Sequence, residues 1–197
     1  NVDLGAITTV DVGNPFKILL LYRDFNSVII LDNNLNELSQ RLDFTDETQF
    51  NNVLFVGNSS QNNIWLYADD NKLHLYNYET LSEELQTQAI TFYEDDFTAQ
   101  GLVSTFKRVW IQSETEALEF NEYGNYVRTY PIAGAERIFP FQKGILVLKE
   151  GTFEYFFEEE RRRVELNFKG TMKNVSVSGS SLFIYDGKKV SQFQLQL

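Results

Sequence analysis

The sequence contains no cysteine, one histidine and three prolines among its 197 residues. The absence of cysteine excludes disulfides, thiol catalysis and zinc sites built on thiolates. Because His74 is the sole histidine, sites that need several histidines are excluded, and a catalytic triad has one candidate base. No apolar run approaches the roughly 18 residues of a membrane-spanning helix, so we expect no direct membrane insertion.

Basic residues are also scarce, since 17 Lys or Arg stand against 28 Asp or Glu, a net charge of −11. A chain this acidic repels the phosphate backbone, so we expect no nucleic-acid partner. Hydrophobic residues make up 43% of the sequence, which is enough for a sizeable core and excludes global disorder.

Short apolar runs, bounded by polar turn clusters, recur along the whole chain and predict β-strands. One set of runs, named strand B, has its second residue at Leu20, Trp65, Trp110, Leu146 and Phe183, with spacings of 45, 45, 36 and 37. The next set, strand C, ends in a large apolar residue at Leu31, Tyr76, Phe120, Phe156 and Phe193. Two independent anchors therefore give nearly the same period.

Each B–C pair has further strand candidates on either side. Strand A is predicted at residues 7–12, 53–57, 101–106, 137–141 and 175–179. A more polar strand D is predicted at residues 38–44, 84–90, 126–132 and 163–168. Four antiparallel strands recurring every 36–45 residues are typical of β-propeller blades. We therefore predict an all-β fold, with residues 1–197 forming a single β-propeller domain.

The number of blades is open at this point, because the fifth repeat has no strand D. Residues 2–4 could supply that strand, which would give five blades. Alternatively, these residues belong to an earlier blade and the ring is an N-terminally incomplete six-bladed propeller, which the start at Asn1 favours. A bent β-sandwich is the architectural alternative.

The sequence offers little catalytic or metal-binding chemistry. His74 lies within a C strand, where a packed structural residue is the expectation. Asp32, Asn77 and Asn121 recur just after strand C, where an Asp or Asn side chain stabilises a turn. We therefore predict no catalytic residue, no metal site and no cofactor, and expect that the protein is not an enzyme.

Charged clusters are interpreted mainly as solvated turns. The acidic runs at residues 69–70 and 94–96 do not match the EF-hand calcium pattern. The sharpest feature is three Glu at 158–160 followed by three Arg at 161–163, which we place in a C–D hairpin. Its functional interpretation is an electrostatic contact with a partner. The candidate partner-binding residues are Phe25, Tyr93, Phe97, Arg161 and Arg162.

Three segments carry a family resemblance. Residues 7–22 (ITTVDVGNPFKILLLY), 24–36 (DFNSVIILDNNLN) and 63–67 (NIWLY) resemble a Bacteroidota family of exported, propeller-like proteins. That family includes the plug subunit of the type IX secretion translocon, which closes the periplasmic opening of an outer-membrane channel. The resemblance implies a periplasmic protein associated with the outer membrane, whose partner is that channel.

Two functional hypotheses follow. The first is a non-catalytic propeller of the bacterial cell envelope that binds a protein partner, and on the resemblance plugs a secretion channel. The alternative is a propeller enzyme or sensor that acts on a carbohydrate or small molecule through carboxylates facing the channel.

Overall fold

The structure, a computed structural model, describes residues 5–45 and 52–196. These residues form five small antiparallel sheets, four with four strands and one with three, which is the organisation of a five-bladed β-propeller. Strands follow one another within each sheet in chain order, so they are named A to D from first to last. The B strands read as continuous apolar runs because both of their faces are buried, as in Ile64–Tyr67.

The first three sheets contain twelve strands between residues 9 and 131. The first sheet consists of β1 (Thr9–Asp11), β2 (Ile18–Tyr22), β3 (Ser27–Leu31) and β4 (Leu42–Asp43). The second consists of β5 (Val53–Asn58), β6 (Asn63–Ala68), β7 (Leu73–Asn77) and β8 (Ser82–Gln86). The third consists of β9 (Gly101–Ser104), β10 (Arg108–Gln112), β11 (Glu116–Asn121) and β12 (Tyr126–Pro131). Two short 3-10 helices lie at Arg23–Phe25 and Ile90–Phe92.

The last two sheets contain seven strands. The fourth sheet consists of β13 (Arg137–Phe141), β14 (Gly144–Lys149), β15 (Thr152–Phe157) and β16 (Glu160–Val164). The fifth consists of β17 (Asn174–Ser178), β18 (Ser181–Tyr185) and β19 (Val190–Gln194).

The predicted repeat is confirmed, and the sandwich alternative is wrong because the strands form five separate sheets. The fifth sheet has three strands among the described residues, as its repeat predicts. The proposed fourth strand at residues 2–4 lies outside the described residues. Whether residues 1–197 form a single domain stays a prediction.

The D strands differ from the sequence prediction. In the fourth sheet strand D begins at Glu160 rather than residue 163, because Phe157 pairs with Glu160 and Glu158, with φ of 55°, helps to close a two-residue turn. In the second sheet strand D ends at Gln86, and Ile90 starts a 3-10 helix instead. In the first sheet it is reduced to Leu42–Asp43.

The chain divides into two compact units. Unit 1 comprises Asn1–Ser113 with Ala117–Thr129, and unit 2 comprises Glu114–Glu116 with Tyr130–Leu197. In unit 1, the second and third sheets share a core around Trp65, Ile111 and Phe120. In unit 2, Leu146 and Leu182 belong to one core shared by the fourth and fifth sheets.

Candidate partner-binding surfaces

The C–D turns of unit 1 are fixed by the side chain that closes each C strand. The Asp32 carboxylate accepts hydrogen bonds from the backbone of Asn34 and Asn36, both at 2.8 Å. These hydrogen bonds lower the pKa of Asp32, and the bond from Asn36 has the largest effect. In the third sheet Asn121 Oδ1 accepts in the same way from the backbone N–H of Tyr123 at 3.0 Å. Asn77 repeats the arrangement in the second sheet, so the predicted turn role of these residues is confirmed.

Two of these turns hold an exposed leucine in the left-handed backbone region. Leu35 has φ of 64° and is 68% exposed, and Leu81 has φ of 56° and is 39% exposed. The corresponding turn of the third sheet uses Gly124, with φ of 73°. A leucine is strained in this conformation, whereas glycine adopts it freely. Strained positions that also expose apolar surface are candidates for a functional role.

Further exposed apolar residues occupy the A–B segments of the same unit. Phe16 is 68% exposed before β2, and Phe106 is 53% exposed before β10. Tyr123, in the C–D turn of the third sheet, is 70% exposed. We call the set the apolar end, defined by exposed apolar residues in A–B or C–D turns of unit 1: Val12, Phe16, Leu35, Leu81, Phe106 and Tyr123.

The A–B and C–D turns lie at one end of their sheets, because consecutive strands run in opposite directions. Contacts within unit 1 agree with this. The backbone N–H of Tyr78, after β7, donates to the carbonyl of Asn62, before β6, at 3.0 Å. Gly124, after β11, lies against the Leu85 side chain of β8, at 2.8 Å from where a Cβ would stand. The apolar end therefore extends over neighbouring sheets.

The aromatic residues predicted as partner contacts have different environments. Phe25 is 45% exposed in a 3-10 helix between β2 and β3, at the opposite end of the sheet from Phe16. Tyr93 stacks on Tyr126 with ring centroids 4.8 Å apart, and burial raises its pKa. Phe97 is 6% exposed and belongs to the unit 1 core. The contact role of these residues stays a prediction, and Phe25 presents the largest surface to a partner.

The two predicted arginines project from β16 in unit 2. Arg161 binds the Glu154 carboxylate through Nη2 at 2.7 Å and Nε at 3.1 Å, and its guanidinium lies 5.3 Å from the centroid of the Phe156 ring. Arg162 pairs with Glu160 and lines a groove of about 400 Å³. Glu154, on the neighbouring strand β15, lies outside the run of three Glu at 158–160 that precedes these arginines.

His74 is a packed strand residue, as predicted, and it is 1% exposed. Its Nδ1 lies 2.6 Å from Glu83 Oε2, and its Nε2 lies 3.1 Å from Asp70 Oδ1. Both nitrogens are thus occupied by carboxylates of the same blade. Asp70, interpreted from the sequence as part of a solvated turn, is one of these two partners.

A buried carboxylate in the third sheet was not identified from the sequence. Glu119 of β11 is fully buried, forms an ion pair with Arg108 of β10 and lies 3.9 Å from Arg128 of β12. The sequence pattern could have indicated this carboxylate, because a glutamate between Leu118 and Phe120 interrupts an apolar run. Both neighbouring strands carry an arginine. Glu119 is buried on the middle strand of three, with an arginine on each neighbour, and this position indicates a structural role.

A buried lysine joins the first two sheets. Lys17 is 3% exposed, and its Nζ donates to the carbonyls of Ser59, Gln61 and Asn63 at 2.8, 2.9 and 2.8 Å. Burial lowers the Lys17 pKa to about 8, against the opposing effect of the Asp11 carboxylate. These carbonyls lie at the A–B turn of the second sheet, and one ammonium group of the first sheet donates to all three.

Among the described residues, the A strands of the five sheets carry one carboxylate, that of Asp11. Its Oδ1 accepts from the Gly13 N–H at 2.7 Å and its Oδ2 from the Asn58 N–H at 2.8 Å. Within residues 5–45 and 52–196, no group of three or more His, Cys, Asp or Glu is placed to hold a metal ion. In the same ranges, no helix has the length and apolar character needed to cross a membrane.

Comparison with known proteins gives structural matches alone. No protein-family model matches the chain, and no curated protein matches its sequence. Hsv2 from Kluyveromyces lactis is 11% identical with a TM-score of 0.68, over 95% of this chain and 59% of that chain. PorZ, an essential bacterial surface component of the type IX secretion system of Porphyromonas gingivalis, is 13% identical with a TM-score of 0.61, over 92% of this chain and 26% of PorZ. Virginiamycin B lyase from Staphylococcus aureus is 10% identical with a TM-score of 0.62, over 97% of this chain and 67% of the lyase.

In its described residues, the chain is a five-bladed β-propeller. At these identities the likeness shows the fold alone. The chain spans 59% of the length of Hsv2 and 26% of that of PorZ. The PorZ match is distant, and membership of the type IX secretion family stays a prediction.

Proposed function

We propose that this chain is a non-catalytic, protein-binding β-propeller of the bacterial cell envelope. In this proposal it works at the periplasmic side of the outer membrane and closes the channel of a type IX secretion translocon as a plug. The apolar end of unit 1 is the observation that carries the proposal. Exposed apolar side chains gathered at one end of neighbouring sheets are candidates for an interaction site.

The architecture of the apolar end suits a protein interface. Its aromatic members Phe16, Phe106 and Tyr123 are the residue type enriched at interface centres. Asx turns fix the backbone that carries Leu35 and Tyr123, so little backbone has to be ordered when a partner binds. Leu35 is strained in a turn that glycine would occupy without strain.

Support for a secretion channel as the partner comes from two directions. Residues 7–22 and 24–36 resemble the exported Bacteroidota family that includes the translocon plug. The fold of PorZ, a type IX secretion component, matches 92% of this chain. These two observations support the same secretion system, while the likeness to PorZ itself is one of fold.

The enzyme hypothesis has less support from the geometry. A glycosidase needs two carboxylates at a defined separation. Among the described residues, the A strands provide one, Asp11, and both of its carboxylate oxygens accept backbone hydrogen bonds. His74 is buried with each ring nitrogen against a carboxylate. Both groups therefore have structural partners that a reaction would have to replace.

Affinity purification from outer-membrane fractions of the source bacterium tests the proposal. The tagged wild-type chain should recover an outer-membrane channel protein, identified by mass spectrometry, and a Phe16→Ser, Phe106→Ser double variant should lose most of it. Both residues are exposed, so the variant should fold normally by circular dichroism.

The comparison variant is Phe25→Ser, which removes an exposed phenylalanine at the other end of the first sheet. If it retains the channel, the contact lies at the apolar end and the predicted contact role of Phe25 is wrong. If wild-type protein recovers no outer-membrane protein, the proposed function is wrong. If Phe25→Ser loses the channel and the double variant retains it, the function stands and the binding end is the opposite one.

A further inference from the structure

The segment that connects β8 to β9, residues 87–100, is anchored at two points within the continuously described range 52–196. Ile90 is fully buried and Phe97 is 6% exposed, and both belong to the core shared by the second and third sheets. Residues 91–96, between these anchors, are half-buried or exposed. The fold therefore presents them on a short loop that is fixed at both ends.

Three aromatic rings stack at this loop. Tyr93, one of the predicted partner-binding residues, stacks on Tyr126 of β12 with ring centroids 4.8 Å apart and an interplanar angle of 18°. Phe92 meets Tyr93 edge-on at 5.3 Å. The buried ring of Phe120 supports both tyrosines, at 5.4 and 5.9 Å. We call Phe92, Tyr93 and Tyr126 the aromatic platform.

Phe92 is 75% exposed, the largest exposed fraction among the large hydrophobic residues of the described ranges. Core packing does not account for its residue type, because Ile90 and Phe97 make the core contacts of the loop. The face of an aromatic ring carries partial negative charge, so an open ring face attracts a cation. The platform thus offers a cation-binding surface that the fold itself does not use.

Three carboxylates follow the platform directly in the loop. Asp95 and Asp96 are exposed, Glu94 is half-buried, and the ion pairs of the described residues include none of the three. The surrounding part of the chain is also acidic, since residues 1–129 contain 20 Asp or Glu and seven Lys or Arg, whereas residues 130–197 contain eight and ten. The charge around the platform therefore complements a basic partner and repels an anionic one.

We infer that the aromatic platform binds a basic segment of a partner protein, with an arginine side chain stacked on the ring of Phe92. The carboxylates of Asp95 and Asp96 accept hydrogen bonds from this arginine or from the next cationic side chain of the segment. Arginine is preferred to lysine, because its planar guanidinium stacks on a ring face. This site uses other residues than the apolar end, and it goes beyond the proposed function by adding a second contact with defined chemistry.

Fluorescence anisotropy with synthetic peptides tests the inference on the full chain. The probe is a fluorescein-labelled octapeptide that alternates arginine and serine, and it should bind in a saturable way. A peptide with citrulline, the uncharged analogue of arginine, in the same positions should bind at least about tenfold more weakly. The affinity of a peptide with lysine in these positions should lie between the two.

Substitutions of Phe92 separate ring stacking from apolar contact. Phe92→Leu keeps an apolar side chain and removes the ring, so the arginine peptide should bind about three- to tenfold more weakly. Phe92→Trp should bind it as tightly or more tightly, because tryptophan is the best ring partner for a cation. The control Phe25→Leu makes the same change at another exposed phenylalanine of unit 1 and should leave binding unchanged. Melting temperatures of all three variants check that they fold.

A pair of double variants separates the loop carboxylates from the overall acidity of the protein. Asp95→Asn with Asp96→Asn should weaken binding of the arginine peptide at least about tenfold at low salt. The matched control, Asp24→Asn with Glu37→Gln, removes two charges from exposed residues of the first sheet and should weaken binding less than about threefold.

Four results would overturn the inference. They are no saturable binding of the arginine peptide, equal binding of the citrulline peptide, binding that is unchanged in Phe92→Leu, and equal losses in the two double variants. The second would assign the platform to an apolar partner, and the fourth would show general attraction between opposite charges. Channel recovery that is unchanged in Phe92→Leu leaves the proposed function intact, and peptide binding that is unchanged in the Phe16→Ser, Phe106→Ser variant leaves this site intact. The two proposals therefore fail separately.

Discussion

The two compact units hold their neighbouring sheets together in different ways. In unit 1, buried polar groups join the first and second sheets: Lys17 donates to three carbonyls, and Asn26 Oδ1 accepts from the Val53 N–H at 2.7 Å. In unit 2, Arg137 of the fourth sheet reaches Asn174 and Val175 of the fifth at 3.0 and 3.1 Å, from an exposed position. The polar links of unit 1 lie inside, and this link of unit 2 lies at the surface.

The difference has an energetic consequence. A buried donor satisfies groups that water cannot reach, so its removal leaves unpaired carbonyls at a cost of about 1–3 kcal/mol each. A surface link is exchanged for water at little cost. Unit 1 therefore has buried polar pairs in addition to its apolar core, whereas the polar link of unit 2 adds little to its apolar core.

The largest effect is expected from Lys17→Met, which keeps the length of the side chain and removes its ammonium group. Three carbonyls lose a donor, so the free energy of unfolding should fall by about 3 kcal/mol or more. The matched variant in unit 2, Arg137→Met, should cost about 1 kcal/mol or less. Urea denaturation of both variants compares the two links, and equal losses would contradict the distinction between the units.

A second pair of variants compares ion pairs on C strands. Glu119→Gln in unit 1 removes the charge of a buried carboxylate that has arginines on both neighbouring strands. The free energy of unfolding should fall by about 2 kcal/mol. Glu154→Gln in unit 2 weakens the exposed pair with Arg161, and should cost less than about 1 kcal/mol. The thermal shift of each variant is the measurement, at low salt and again at high salt. Salt should reduce the Glu154 effect more strongly, because exposed pairs are screened.

The pH dependence of stability should also reflect the buried groups of unit 1. The folded pKa of Lys17 is about 8, below its ordinary 10.5, so the unfolded chain holds this proton more tightly. Stability attributable to Lys17 should therefore rise between pH 8 and 10.5. Burial raises the pKa of Tyr67 from 10.0 to about 12, so above pH 10 the unfolded chain ionises first and stability falls.

Melting curves of wild type, Lys17→Met and Tyr67→Phe across this pH range check both signs. As the pH rises from 8, the melting temperature of the wild type should increase relative to that of Lys17→Met. Above pH 10 it should decrease relative to that of Tyr67→Phe. Parallel curves for the wild type and Lys17→Met would show that Lys17 keeps its proton in the fold, held by its three carbonyls.

The sequence predicted the B and C strands well because burial on both faces leaves an unbroken apolar run. It predicted the D strands poorly, since these outer strands are polar and their bounds depend on turn geometry, as at Glu158. The Asx turns were predictable because the Asp or Asn acts on backbone groups two to four residues away.

The candidate surfaces were less accessible to prediction. Phe97 and Phe106 are the same residue type in similar polar surroundings in sequence, yet one is 6% exposed and the other 53%. Which of them is covered depends on a neighbouring sheet that is distant in sequence. Lys17 shows the reverse case, because a lysine in a turn is ordinarily solvated, and the carbonyls that bury it lie more than 40 residues away.

The smallest stability change, and the sharpest test of the apolar end, is expected from Leu35→Gly. The substitution relieves a left-handed leucine, so the melting temperature should stay the same or rise slightly, by the equivalent of up to about 1 kcal/mol. It also removes a side chain that is 68% exposed, so recovery of the channel protein should fall. Leu35→Asn, which tolerates the same φ and keeps a side chain there, separates strain relief from apolar contact: it too should fold well and recover less channel. A variant that melts lower and still recovers the channel in full would show that Leu35 serves the fold of unit 1 rather than a partner.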